Sequence, residues 1–250
     1  MKKIGFIGAY DKIDFVMYIA KILVEAGKKV LLVDGTTLQK AKYIVPAIKP
    51  SKTYITEFEG IDIAIGFDNF DNIRQYLALP SMAAIPYDIA LVDIDKTESA
   101  DEFKIEEFDL NYFVTSFDMY SIKKGIESIN NINEPITATK VLFTNIMSKE
   151  EDDYLNFLSL GSKIKWEEER IYFPFEVGDQ AVIYNNQRVA KIKFKSLSNQ
   201  YKEGLVYITT KILEKCLESD DEDGEKNKKK NESEIDALAR KSFKKIEKGV

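Results

Sequence analysis

The chain contains no histidine among its 250 residues. That absence removes His-based catalytic dyads and triads, and with them the commonest protein ligand for transition metals. Cysteine is nearly absent as well. Cys216 stands alone, so no internal disulfide can form and a reducing, cytoplasmic setting fits. No stretch approaches the roughly 18 apolar residues that a membrane-spanning helix needs. Met1-Lys2-Lys3 looks like the opening of a signal peptide, but the apolar run behind it lasts only about five residues before Asp11, short of the roughly 7–15 residues of an h-region. Positive charge is in deficit: 36 Lys and Arg against 42 Asp and Glu give a net charge of −6, which argues against nucleic-acid binding by the whole surface.

Apolar material is plentiful. Hydrophobic residues make up 44%, with 15 Phe and 13 Tyr, enough for a full core. Strand-like and helix-like segments alternate over the first 215 residues. Strands are expected at 3–8, 28–34, 61–67, 87–95, 112–116, 140–145 and 171–175. Helices are expected at 14–26 (capped by Gly27), 119–129, 149–158 and 200–217. Unbroken apolar runs ending in acids, such as KKVLLVD and YDIALVDID, indicate strands buried on both faces. Strands separated by helices need crossover connections. The fold class is therefore α/β, a doubly wound and mainly parallel sheet with helices on both faces.

Composition shifts after Cys216. Positions 218–225 carry six acids in eight residues, and 226–230 carry four lysines in five. Neither block can bury an apolar face, so 217–233 is expected to be a disordered, charged linker. Beyond it, 234–250 places Ile235, Leu238, Phe243 and Ile246 at helical spacing, a short amphipathic helix with a basic flank.

In parallel sheets, ligands gather at the carboxyl ends of the strands. Three features fall there: the loop after the first strand, Asp34 after the second, and Asp93 with Asp95 after YDIALVDID. Asp11 is placed to cap the first helix, with Asp14 three residues on as a weaker capping-box partner. Strand-end acids also suit a phospho-accepting receiver domain, which the length and late segments fit poorly. Gly5-Phe6-Ile7-Gly8 lacks the dinucleotide fingerprint. No Cys/His cluster exists for zinc. Trp166 is expected to be a packed aromatic.

The segments AKILVEAGKKVLLVD, YDIALVDID, YFVTSFDMYSIKKGIESI, KVLFTNIMSKEEDDYLNFL and IYFPFEVGDQAVIYNNQRV, in this order and spacing, resemble the MinD/ParA group of deviant Walker-A P-loop ATPases, which includes TadZ-type pilus-locating proteins. The resemblance covers residues 1–216. It aligns the family's K-G-G-x-G-K-T-T/S loop with Ile7-Gly8-Ala9-Tyr10-Asp11-Lys12-Ile13-Asp14. Only Gly8 and Lys12 match. Ala9 and Asp11 restrict the backbone geometry that glycines allow around phosphate. Asp11 sets a like charge against a triphosphate, and Ile13 has no oxygen for Mg²⁺.

The resemblance implies that Asp34 and Asp93 match acids supporting Mg²⁺ and water, and that Asn145 stands where relatives read the base. With the loop altered, the simpler expectation is that both acids face solvent and cap their following turns, that Asn145 forms a turn, and that Lys12 is either solvated or reaches an anion. Asp11 and Asp14 would then take the electrostatic place of a phosphate. These residues make a vestigial nucleotide site, with no cofactor expected and ATP hydrolysis not expected.

The function implied is a pseudo-ATPase scaffold or positioning subunit of a bacterial machine (pilus, secretion, conjugation or division). The alternative is a slow ATP-dependent switch that uses ATP and Mg²⁺ through an unconventional loop. Partners would be other protein subunits, with a homodimer compatible and nucleic acid not expected. The terminal helix would be free to meet a protein groove or, weakly, the inner face of the membrane.

Overall fold

Runs such as VLLVD show no polar alternation because, in the computed structural model, they form strands covered on both faces. The structure describes residues 1–46, 51–81, 83–145, 147–174, 176–217 and 225–248, with side chains of the last helix described from 233 to 247. In chain order the elements are β1 (Lys2–Ile7), α1 (Ile13–Glu25), β2 (Val30–Asp34), α2 (Ala41–Ile44), β3 (Tyr54–Phe58), β4 (Ile61–Ile65), α3 (Phe70–Tyr76), β5 (Ile89–Ile94), α4 (Thr97–Phe103), β6 (Leu110–Thr115), α5 (Met119–Glu127), β7 (Ile136–Phe143), α6 (Lys149–Leu158), β8 (Ile164–Phe173), α7 (Val177–Arg188), α8 (Asn199–Leu217) and α9 (Glu225–Lys248).

The strands form one eight-stranded sheet in the order β3-β4-β2-β5-β1-β6-β7-β8. Every neighbouring pair is parallel except β3 and β4. Alternate strand residues feed two cores. Ile4, Phe6, Leu32 and Leu91 pack with α1, α8 and α9, while Ile7, Leu31, Val33 and Val92 pack with α3 to α6. The doubly wound, two-faced α/β fold expected from the sequence is the fold observed. Trp166 is the packed aromatic expected: it meets Phe113 edge-on at 5.2 Å, and its Nε1 donates to Ser159 Oγ at 2.8 Å.

Where the sequence misled, the reasons are local. β3 was not anticipated. It is joined to β4 by Glu59 and Gly60, with φ of +55° and +83°, a two-residue hairpin turn of the primed kind whose first residue is neither Asn, Asp nor Gly. α7 carries little apolar periodicity because its buried residues are Asp179 and Asn186. Polar contacts hold it instead: Asn186 Nδ2 donates to Tyr18 Oη at 2.6 Å, and Ser198 Oγ donates to Asp179 at 2.7 Å. β8 begins at Ile164 rather than 171, and Glu167, Glu168 and Glu169 along it are exposed, as suits a charged edge strand. The expected strand end at Phe175 lies outside the described residues.

The tail differs most. Helix begins at Glu225, so 225–233 is helical rather than disordered, while 218–224 lie outside the described residues. The stripe expected to meet a partner or a membrane is turned inward. Ile235 and Phe243 are each 6% exposed within the α1–α8 core, Ile246 packs against it, and Leu238 alone of the four points outward. Phe243 meets Phe194 edge-on at 5.2 Å. Ion pairs flank the seam: Lys245 with Glu25 at 3.1 Å, Lys202 with Glu247 at 2.7 Å, and Arg240 with Glu203 at 2.9 Å. No described helix is long and apolar enough to cross a membrane.

This packing sets an expectation. Phe243→Ala should cost about 3 kcal/mol, the range for a buried Phe, and lower the unfolding midpoint by roughly 5–10 °C at this chain size. Circular dichroism melting checks it; an unchanged midpoint would mean that α9 does not dock.

Candidate functional site

Three chain segments meet at the carboxyl edge of the sheet. β1 lies between β5 and β6, and β5 pairs on its other side with β2. The register sets Asp34 beside Asp93 and Phe6 beside Asp93. The loop leaving β1 therefore rises directly next to two strand-end acids. Gly8 opens this loop at φ +135°, and a side chain there would run into the Val114 carbonyl of β6, so only glycine fits. Its N–H donates to Ile94 O at 2.9 Å, tying the loop to β5.

Lys12 does not reach outward. Its ammonium donates to Gly8 O at 2.6 Å and Ile94 O at 3.2 Å, and it stands 2.7 Å from Asp93 Oδ1. The two side chains of this ion pair are 1% and 2% exposed. An ammonium has three protons to donate, and two carbonyls and a carboxylate surround it. The solvated lysine expected as one alternative is thus corrected, and the anion that Lys12 reaches is the protein's own Asp93.

The acids are corrected too. Asp34 and Asp93 are buried, not solvent-facing. Asp34 does cap its following turn: Oδ1 accepts from Thr36 Oγ1 at 2.6 Å and Oδ2 from Ala41 N at 2.9 Å, at the start of α2. Burial pushes the Asp93 carboxyl upward, Asp34 and Asp95 add to the shift, and Lys12 opposes it. Asp95, half-buried, accepts from Thr37 N at 2.8 Å.

Asp11 does not cap α1. The cap position falls on Lys12, which makes no side-chain capping bond, and the exposed Asp11 pairs instead with Lys40 at 2.5 Å. Asp14 lies in the first turn but is drawn sideways to α7, accepting from Gln187 Nε2 at 2.7 Å. Neither carboxylate takes a capping role, because each finds a partner far along the chain. Asn145 is exposed in the bend after β7, in keeping with a turn residue, and lines neither of the two cavities described next.

Two cavities adjoin the loop. One, of about 60 Å³, is lined by Ala9 to Ile13, Thr36, Lys40, Asp93 and Asp95. That is well below the roughly 300–1,000 Å³ of small-molecule sites. The other, of about 360 Å³, lies between α1, α7 and the ends of β7 and β8. Sequence reasoning missed Tyr10, Lys40, Thr36 and Gln187: Lys40 and Gln187 act through contacts distant in the chain, Thr36 through its turn with Asp34, and Tyr10 as an aromatic placed in the loop. Among the described residues no group of three or more acids or cysteines is gathered to hold a metal ion. Where the alignment to the family loop would put a Mg²⁺-holding hydroxyl, Ile13 offers buried hydrocarbon, so these residues do not fit that ion.

Comparison with solved structures places this fold. A ParA family ATPase from Chlorobium tepidum TLS aligns over 83% of this chain and 97% of its own, with a TM-score of 0.52 at 13% identity. A protein assigned to plasmid partition from Borrelia burgdorferi B31, solved with AMPPNP, aligns over 85% of this chain and 100% of its own, with a TM-score of 0.55 at 11% identity. Neither a protein-family model nor a curated protein matches the sequence. The chain has the ParA/MinD-type P-loop fold, and at these identities the likeness speaks for the fold alone.

Asp14 carries a pH prediction. Burial pushes its carboxyl up to about 6, against the pull of Gln187 and then of Lys40, with Asp11 adding to the rise. The folded value lies above the unfolded value of about 3.9. Its contribution to stability is therefore whole below about pH 4 and lost as pH rises through about 6. Asp14→Asn keeps an acceptor for Gln187 and removes the charge. It should raise the thermal midpoint near pH 7.5 and leave it unchanged near pH 3.5, as scanning calorimetry at the two pH values would show.

Proposed function

We propose that this chain is a catalytically inactive ParA/MinD-type protein, a scaffold or positioning subunit of a bacterial multiprotein machine such as a pilus, secretion, conjugation or division apparatus. The observation that carries this reading is the closed state of Lys12. A phosphate-binding lysine must offer its protons to the ligand, and this one is committed to Gly8 O, Ile94 O and Asp93 inside the protein. A triphosphate entering the loop would have to break a buried ion pair, meet Asp11, and do without a hydroxyl at position 13. The cavity at the loop, about 60 Å³, is in keeping with this.

Binding surfaces rather than chemistry then carry the role. The α5–α6 face supports that part of the reading. Tyr120 is 69% exposed, Phe157 65% and Leu160 74%, and Tyr154 Oη contacts Met119 Sδ at 3.7 Å across the two helices. Exposed apolar side chains on neighbouring elements are what protein–protein contacts use.

Thermal unfolding with and without millimolar Mg-ATP or Mg-ADP tests the proposal. Ligand at 100 times its dissociation constant would stabilise by about 2.7 kcal/mol, a shift of roughly 5–10 °C; no shift is expected. Lys12→Met should by itself destabilise by about 3–5 kcal/mol, because it leaves Asp93 buried without a partner, and adding Asp93→Asn should recover much of that loss. A nucleotide-induced shift that disappears in Lys12→Met would instead establish a nucleotide-dependent switch.

A further inference from the structure

Beside the self-closed loop, the cavity of about 360 Å³ has the size of a small-molecule site. Rings build much of its wall. Tyr10 stacks on Phe143 with centroids 4.7 Å apart, Phe15 stands edge-on to Phe143 at 5.5 Å, and Tyr201 tilts against Phe143 at 6.4 Å. Tyr184, 48% exposed, lines the same cavity from α7, where its hydroxyl accepts from Gln180 at 2.9 Å.

Charge in the wall has one sign. Asp11, Asp14, Glu176 and Asp179 line the cavity, and among the described residues no lysine or arginine does. Internal partners quiet some of this charge: Lys40 pairs with Asp11, Gln187 with Asp14, and Ser198 with Asp179. Glu176 is exposed. Aromatic faces are themselves negative, and carboxylates behind them deepen the potential, most strongly where water is excluded. Such a wall repels phosphate and attracts a cation that also has apolar surface to bury.

We propose that this cavity binds an organic cation, an alkylammonium or guanidinium group set against the exposed ring of Tyr184 and the partly exposed ring of Tyr10, with the carboxylates as counter-charge. The same chemistry reaches the site either as a free small amine or as an arginine side chain offered by a partner protein. The inference goes beyond the pseudo-ATPase reading and stands or falls apart from it, because it makes no use of the loop's affinity for nucleotide.

Isothermal titration calorimetry of the full chain with choline, with its neutral isostere 3,3-dimethylbutan-1-ol, and with N-acetylarginine amide tests it. Saturable binding of at least one cation is expected, with none of the neutral alcohol. Tyr184→Ala and Glu176→Gln, both at exposed positions, should each weaken that binding about fivefold, equivalent to about 1 kcal/mol, without moving the thermal midpoint. Binding of choline assigns the free amine, and binding of the arginine amide alone assigns the partner's side chain. Equal binding of the alcohol, no saturable binding of either cation, or cation binding that both variants leave intact would overturn the proposal.

Discussion

The ion pair between Lys12 and Asp93 is the constraint around which the carboxyl edge of this sheet is organised. Two charges sequestered from water are costly, and a pair is tolerated only when its remaining hydrogen-bond capacity is met. Gly8 O and Ile94 O meet it for the ammonium. That arrangement fixes the loop: the carbonyl of residue 8 must face inward, which requires the left-handed glycine and its close passage beside Val114. A loop shaped to point N–H groups at an anion has here turned a carbonyl toward its own lysine. The surroundings follow from that choice. Asp34 is left to organise the turn into α2, and Asp11 is left to the surface, where Lys40 meets it.

Much of the architecture was legible because it rests on short-range physics. Val30–Asp34 and Ile89–Ile94 are unbroken apolar runs because they lie inside the sheet with helices on both sides. The spacing between them demands crossovers, and crossovers demand a parallel sheet. Helices α1 and α6 announce themselves through apolar spacing, and the structure adds Ser148 as the cap of α6, its hydroxyl accepting from Glu151 N at 3.3 Å. What escaped the sequence was structure held by polar or distant contacts. α7 hides its buried face behind Asp179 and Asn186, and the β3–β4 turn uses Glu where a stronger hairpin signal would have Asn or Asp.

The site was legible in position and not in state. Gly8, Lys12, Asp34 and Asp93 converge as the segment order suggested, yet their burial could not be read from residues 81 positions apart, as Lys12 and Asp93 are. Asp11 and Asp14 each satisfied a local capping rule and each lost to a partner elsewhere, Lys40 for the first and Gln187 for the second. The tail shows the same asymmetry. Ile235 and Phe243 looked unpartnered because the surface they cover belongs to α1, α8 and Phe194, none of it adjacent in sequence.

The seat of α9 has a consequence for how the molecule is made. α1 leaves the ribosome well before α8 and α9, yet it contacts both. At about 5–20 residues per second, the roughly 200 residues between α1 and Phe243 take on the order of 10–40 s to synthesise. Until α9 arrives, part of the oily side of the first helix lacks its cover and is open to chaperones and to neighbouring nascent chains. Of the described helices the first is sealed by the last, so its apolar face is fully covered only once α9 has been made.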